Sequence, residues 1–448
     1  MLRLGTRKLL DRSFTGMGVL SIVLLAAALL ILLAPICLRG ISAYVFQGTV
    51  EFRRVALEKF QRGDREELKR EQAAAARARQ PVFAALAAFK KDLDAMPFAE
   101  RKKYKTDFAA VQDAVKDLLG PLPGEEAPLL MRSQYGQTRW DRAQVKIQQV
   151  LFAEDYDFSG GGLGRKVLKP RLEKFRGTKL EPLFAAIEKN ASEMLRPQWT
   201  FYGRFLTDAS HDAHFFGGIG PEVLGTLYLT LGAILFAVPM GVIAAIYLVE
   251  YARENRLVRV LRVCISTLAG VPSIVFGLFG LAFFINAAHL SENKSVLAGS
   301  LTLGLLILPT IIRASEEALR AVPATYKQAA LSLGAGQWHA VRSVILPAAL
   351  PGILTGVIIS MGRAAGETAP IIFTAAVSVG KPLTLLQTFT QPTPALPWNI
   401  YNLCSEHVAV DEIRHVQYGM VFSLVLLVLL LNLAAIIVRA RISRKLRT

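Results

Sequence analysis

Cysteine is nearly absent from this chain, with three residues in 448, which excludes a disulfide scaffold. Charge is scarce as well. Asp, Glu, Lys and Arg make up 19% of the residues and hydrophobic types 52%, whereas roughly a quarter of a soluble globular chain is charged. Disorder and collagen-like structure are excluded by the same composition. The glycine run Gly160–Gly162 has no Gly-Lys-Ser/Thr after it, so it reads as a turn and not as a phosphate-cradling loop. No Gly-x-Ser-x-Gly elbow occurs, and no acid, base and nucleophile stand in a recognisable constellation. The chain reads as a non-enzyme without a cofactor. Any energy it uses comes from an ion gradient or from ATP hydrolysed by a partner.

What charge there is sits in one block. Residues 39–222 hold 31 of the 52 basic and 25 of the 35 acidic residues. Outside the block the chain runs in long apolar stretches. A spanning helix needs about 20 apolar residues, since the rise is about 1.5 Å per residue across about 30 Å of hydrocarbon. Six stretches qualify: Met17–Leu38, Val223–Val249, Val263–Ala288, Val296–Ile312, Pro351–Val377 and Gly419–Val438. The first follows Arg3, Arg7, Lys8 and Arg12 but is longer than a signal core, so it reads as a retained helix.

Six spans put four basic segments on one side: the N-terminal tail, Arg253 to Arg262, Arg313 to Arg342, and the C-terminal Arg439 to Arg447. The opposite loops carry Lys294 in one and Lys381 and Arg414 in the other. The positive-inside rule then makes both termini cytoplasmic and the block 39–222 extracytoplasmic, where long translocated domains are exempt from the rule. Acidic residues nearly balance the basic ones there, so nucleic acid is not implied as a partner.

Within the block, Glu51–Leu119 is rich in helix formers and punctuated by Pro81 and Pro97. Val55, Leu57, Phe60, Phe83, Leu86, Phe89 and Leu93 form a discontinuous apolar stripe, which fits a helical hairpin or short coiled coil packing on itself. Gln144–Phe152 reads as a strand or short helix. Asp208, His211, Asp212 and His214 have metal-capable side chains but no clear remaining ligands, so they read as a polar segment. Cys37 and Cys404 read as isolated thiols, with pairing as the alternative, and Cys264 as packing.

Arg363 and Glu367 stand four apart inside the fifth apolar stretch, on one helix face. Charges at that depth are costly and face a bundle interior or an aqueous path. Two readings remain open, a substrate path for an anion and a structural ion pair. Gly362, Ala364, Ala365, Gly366 and Pro370 allow close approach and a local break. Gly270-Val271-Pro272-Ser273 offers a comparable kink in the third stretch. Arg313 reads as snorkelling to the interface. Between the fourth and fifth stretches, Glu316–Leu350 reads as helix, turn, helix, broken by Pro323, Gly334 and Gly336. It suits the docking of a separate protein or an interfacial position.

Gln328-Ala329-Ala330, then Gly334, then Val344-Ile345-Leu346-Pro347 resembles the cytoplasmic signature of permeases in binding-protein-dependent ABC importers, with Gln328 where the family has Glu. Gly270–Gly280 and Gly362–Pro370, together with Gly217-Gly218-Ile219-Gly220-Pro221, are similar to the PstA-type permeases of phosphate importers. The resemblance covers about half of the chain. It implies an all-α polytopic membrane fold of six helices, with a mainly helical insertion between the first and second. The implied parts are a tail and first helix at 1–38, an insertion at 39–222, a permease core at 223–438 with a coupling loop at 313–350, and a basic tail at 439–448. It also implies a PstC-type second permease, a PstB-type ATPase dimer, a PstS-type binding protein and inorganic phosphate as partners in the inner-membrane bilayer. The implied path residues are Arg363, Glu367, Ser273 and Thr368. The implied ATPase-coupling residues are Gln328, Ala329, Ala330, Gly334, Leu346 and Pro347. No metal is implied. Molybdate, sulfate and phosphonate are the alternative anions, and a membrane-anchored scaffold is a further alternative.

Overall fold

The computed structural model describes residues 4–123, 137–157, 165–407 and 412–445; Gly160–Gly162 lies outside them. Two compact units emerge. One joins residues 1–43 to 204–448, and the other is the inserted stretch Tyr44–Gly203.

The first helix, α1 (Leu4–Ile41), carries its apolar side chains exposed, from Met17 through Leu32. Such a helix is stable only with lipid around it. It packs on the last helix of the chain, where Gly40 admits Phe422 and the Arg39 guanidinium donates to Tyr418 Oη at 2.7 Å.

The inserted unit is helical with two small antiparallel ribbons. Strand β1 (Val45–Gly48) pairs with β4 (Gln198–Phe201), closing the unit where the chain enters and leaves it, and β2 (Phe152–Asp157) pairs with β3 (Arg165–Pro170). Its helices are α2 (Val50–Phe60), α3 (Arg65–Ala95), α4 (Phe98–Leu119), α5 (Trp140–Leu151), α6 (Leu172–Phe175) and α7 (Glu181–Leu195). Asp64 caps α3 by accepting from Glu66 N at 2.8 Å. Pro97 separates α3 from α4, but α3 runs straight through Pro81, so only one of the two prolines acts as a break. The stripe of α3 meets the next helix, with Phe89 against Tyr104 and Phe108 of α4, but it is not buried by that hairpin alone. Helix α3 also packs closely on α7, and Leu86, Phe89 and Leu93 join a core that includes Phe108, Phe175 and Phe184. Phe89 and Phe175 meet edge to face at 5.6 Å, an arrangement that aromatic quadrupoles favour. The stretch 144–152 divides: α5 ends at Leu151 and β2 starts at Phe152.

The remaining membrane unit contains α8 (Gly220–Tyr251), α9 (Arg256–Leu268), α10 (Ser273–Ala287), α11 (Val296–Arg320), α12 (Ala324–Ser332), α13 (Gln337–Gly366), α14 (Ala369–Thr374), α15 (Leu396–Ser405) and α16 (Arg414–Lys445). Five single helices among the described residues are long and apolar enough to cross a membrane; the pair α9 and α10, bent by 103°, makes a sixth if counted as one broken span. The fold is thus the expected polytopic helical one, with two corrections. The third stretch is not a kinked helix but two legs nearly at right angles. The fifth spanning helix is not Pro351–Val377 but Gln337–Gly366, because it begins in the polar loop and ends before Pro370.

Both discontinuities stand at a proline. A proline ring clashes with the carbonyl four residues earlier and offers no N–H to it. Helix α9 ends at Leu268, four before Pro272, and α13 ends at Gly366, four before Pro370. Helix α11 packs against α8 along most of its length, with Gly304 against Phe236 and Gly241 against Ile311. That close approach is the usual device of membrane helices.

Candidate functional site

The two breaks meet. A Cβ at Gly277 of α10 would lie 3.0 Å from the carbonyl oxygen of Ala369 and 3.0 Å from Pro370 Cα, so α10 rests directly on the start of α14. Ser273 stands one turn before Gly277 on the same face of α10. Val271 and Phe276 share an apolar cluster with Ala364 and Ile371. Ser273 thus lies one turn from the contact between α10 and the start of α14, and Arg363, Glu367 and Thr368 lie in the chain just before that start. Replacing Gly277 by alanine should destabilise the detergent-solubilised protein by about 1–3 kcal/mol, since backbone cannot give way as a side chain can. Alanine at Gly366, where a Cβ would meet nothing within 4 Å, should change stability by less than about 0.5 kcal/mol. Paired thermal unfolding curves check the contrast, and equal shifts would remove the close approach as an organising contact.

Arg363 occupies the last turn of α13, and Glu367 follows it in extended conformation (φ −78°, ψ 127°). The pair survives the end of the helix, with Arg363 Nε donating to Glu367 Oε1 at 3.3 Å. The side chains are 41% and 20% exposed within this chain. Neighbouring Ala364 and Ala365 are buried and Gly362 faces Asn432 of α16, whereas Arg363 is exposed among the described residues. A guanidinium there presents several N–H donors in a plane, geometry suited to an oxyanion. The carboxylate beside it competes for those donors.

The expected coupling residues lie elsewhere. Pro347 and Arg363 are 16 residues apart on α13, about 24 Å at 1.5 Å per residue. Gln328, Ala329 and Ala330 sit on α12, a helix with no buried side chain. Gly334 ends it in left-handed conformation (φ 84°), which only glycine adopts without strain. Tyr326, Leu331, Leu333 and Trp338 are exposed around it, Leu333 at 89%. Helix α12 is therefore a short apolar-studded rod offered to the surroundings. Leu346 and Pro347 begin the regular part of α13 just after a wide turn at Val341–Ile345.

Other polar contacts were not legible in the sequence. Glu250 near the end of α8 accepts from Lys327 Nζ at 2.5 Å, and its backbone carbonyl accepts from Gln337 Nε2 at 2.6 Å. Lys294 Nζ donates to the Ile372 carbonyl at 2.7 Å, capping α14. His214 Nε2 lies 2.9 Å from Glu222 Oε1, with both side chains buried, and Asn399 Nδ2 donates to the same oxygen at 3.2 Å. Arg313 does not simply snorkel: it lies two turns inside α11 and donates to Ser266 of α9. Arg262 ties the same helices together, reaching Glu316 at 3.7 Å and also Glu254, whose carboxyl its guanidinium holds below the ordinary range. The three cysteines carry free thiols.

Comparison with known proteins agrees with this architecture. Residues 237–448 match the family described as "Binding-protein-dependent transport system inner membrane component". The chain is 33% identical to the probable ABC transporter permease protein YqgI of Bacillus subtilis over 52% of its own length and 81% of that protein. It is 37% identical to the phosphate transport system permease protein PstA 1 of Mycobacterium tuberculosis over 52% of this chain and 73% of that one. PstA of Yersinia pestis is 36% identical over 50% and 73%. With its proline-broken helices and exposed α12, and with relatives of this kind covering most of their own length, the chain belongs to the binding-protein-dependent transport system inner membrane components and, among them, to the PstA-type permeases, which are transport subunits and not enzymes.

Proposed function

We propose that this chain is one of two transmembrane subunits of an ATP-driven importer for inorganic phosphate. The observation that carries the reading is the Arg363–Glu367 pair at the junction of two interrupted helices. Phosphate arrives from a PstS-type binding protein, passes between this chain and a PstC-type permease, and is driven by a PstB-type ATPase dimer docked at α12. Arg363 holds the anion transiently while Ser273 and Thr368 offer hydroxyls at the same junction. Glu367 orients Arg363 and keeps the hold weak enough for release. Gln328, Ala329, Ala330 and Gly334 form the docking rod, and Leu346 and Pro347 pass its movement into α13. In this arrangement both termini are cytoplasmic in the inner membrane, and residues 39–222 form the part on the opposite side, between a tail and first helix at 1–38 and a core at 223–438 with its loop at 313–350 and basic tail at 439–448.

The test is co-purification with the ATPase and the second permease, followed by uptake into vesicles. Association and phosphate-dependent, ATP-dependent uptake are expected. Failure to associate with an ATPase would sink the proposal. A tetrahedral oxyanion other than phosphate satisfies the same guanidinium, so molybdate, sulfate and a phosphonate belong in the assay as competitors. Stronger transport of one of them would replace phosphate as the substrate.

A further inference from the structure

Glu250 touches the exposed rod α12 through its carboxylate and the start of α13 through its backbone carbonyl. Its side chain is 8% exposed and its oxygen lies 2.5 Å from Lys327 Nζ, on α12 itself. Its backbone carbonyl receives Gln337 Nε2 at 2.6 Å, from the first residue of α13. The carbonyl is available because Glu250 lies in the last turn of α8, whose final carbonyls have no amide ahead of them; that end also widens over Tyr247–Tyr251, where Ala252 N reaches back five residues to Tyr247 O at 2.8 Å. Wide turns of this kind interrupt the regular ladder and concentrate at functional places. The beginning of α13 widens too, over Val341–Ile345, and Val341 and Ile345 pack on Ala245 and Ile246 just before Glu250.

By covalent connection alone, movement of α12 reaches only α11 before it and α13 after it. We infer that Glu250 is a positioning residue that clamps α12 to α8, so that a push on the rod moves α8 in step with α13. This rests on the proposed docking of an ATPase at α12 and deepens it by naming how the second helix of the core is coupled. The chemistry suits the task. A lysine–carboxylate pair with one partner buried is costly to break, because the remaining charge is left without its counter-ion. Lys327 is 35% exposed, so α12 can yield as a lever without burying a charge of its own.

The experiment uses the whole importer in proteoliposomes, assembled with its ATPase, second permease and binding protein, with inorganic phosphate as the probe. Phosphate moved per ATP hydrolysed is the readout. For Glu250→Gln and Lys327→Gln this ratio should fall about ten-fold while ATPase activity and assembly persist, as a coupling loss within the usual range for linked sites. Lys327→Arg keeps a cation at the same place and should keep the wild-type ratio, which a merely space-filling role would not require. If Glu250→Gln fails to accumulate, the half-exposed Lys327 position still decides the matter. Wild-type coupling in Lys327→Gln, or a loss in Lys327→Arg equal to that in Lys327→Gln, would overturn the clamp. Failure of the unmutated chain to bind an ATPase would overturn the docking reading itself, before any variant is compared.

Discussion

Replacing Arg363 by alanine is expected to lower phosphate uptake ten- to hundred-fold, on the order of the 1.5–3 kcal/mol carried by a hydrogen bond to a charged group. The surroundings of Arg363 make this a measure of transport and not of folding. The side chain is 41% exposed within the chain and, among the described residues, pairs with Glu367, which is itself partly accessible. Exposed ion pairs contribute little to stability, so membrane abundance should be unchanged. Arg363→Lys keeps the charge but loses the planar fork, and should restore part of the uptake. Glu367→Ala should act differently. Freed of its competitor, Arg363 holds the anion more tightly, so the half-saturating phosphate concentration and the maximal rate should fall together. Uptake unchanged in both alanine variants, at matched abundance, would leave the pair a structural contact.

The second large effect is expected within the inserted unit, at Arg79. Its guanidinium reaches Glu51 at 3.3 Å and donates to the carbonyls of Leu119 at 3.0 Å and Met194 at 2.9 Å. One side chain thus ties α2, α3 and the last turns of α4 and α7. Burial pushes its pKa down and Glu51 pulls it back up, so the ion pair offsets part of a desolvation cost. Arg79→Met removes the cation, leaves two helix-end carbonyls without a donor, and leaves Glu51 only Arg54. A loss of about 3–5 kcal/mol is expected, the range for breaking a buried pair. Limited proteolysis of the full-length protein in membranes should show faster cleavage within residues 44–203 and unchanged protection of the spanning helices. Equal protection of both parts in the variant would show that the aromatic core around Phe89 and Phe175 holds this unit without the arginine.

How much of this was legible beforehand differs from element to element. The spans α1, α8, α11 and α16 follow from hydropathy, because lipid imposes a uniform demand on every residue of a crossing helix. The exposed rod α12 and its glycine stop also follow, since Pro323 and Gly334 act through local backbone geometry. The frame of α13 did not follow. Its start lies among polar residues whose helicity depends on packing against α8, and the apolar run beyond Pro370 looked continuous with it. Likewise, the stripe on α3 showed which residues are buried but not that α7, a hundred residues later, joins α4 in covering that helix.

The sequence by itself determined that this is a multi-span membrane protein with one large, charge-rich insertion after its first span, and it carried the motifs of its family, because composition and short-range spacing suffice for both. Only the tertiary structure decided which prolines break the chain. Pro35, Pro81, Pro239, Pro309 and Pro351 all pass inside helices, while Pro272 and Pro370 end them. The ring removes the same hydrogen bond in each case, so the difference lies in what the surroundings supply. At Gly277 the backbone of α14 comes close enough for one break to rest upon the other, and Lys294 caps the carbonyl at Ile372. The same long-range assembly brings Glu250 to Lys327, 77 residues away, a pairing no local pattern contains.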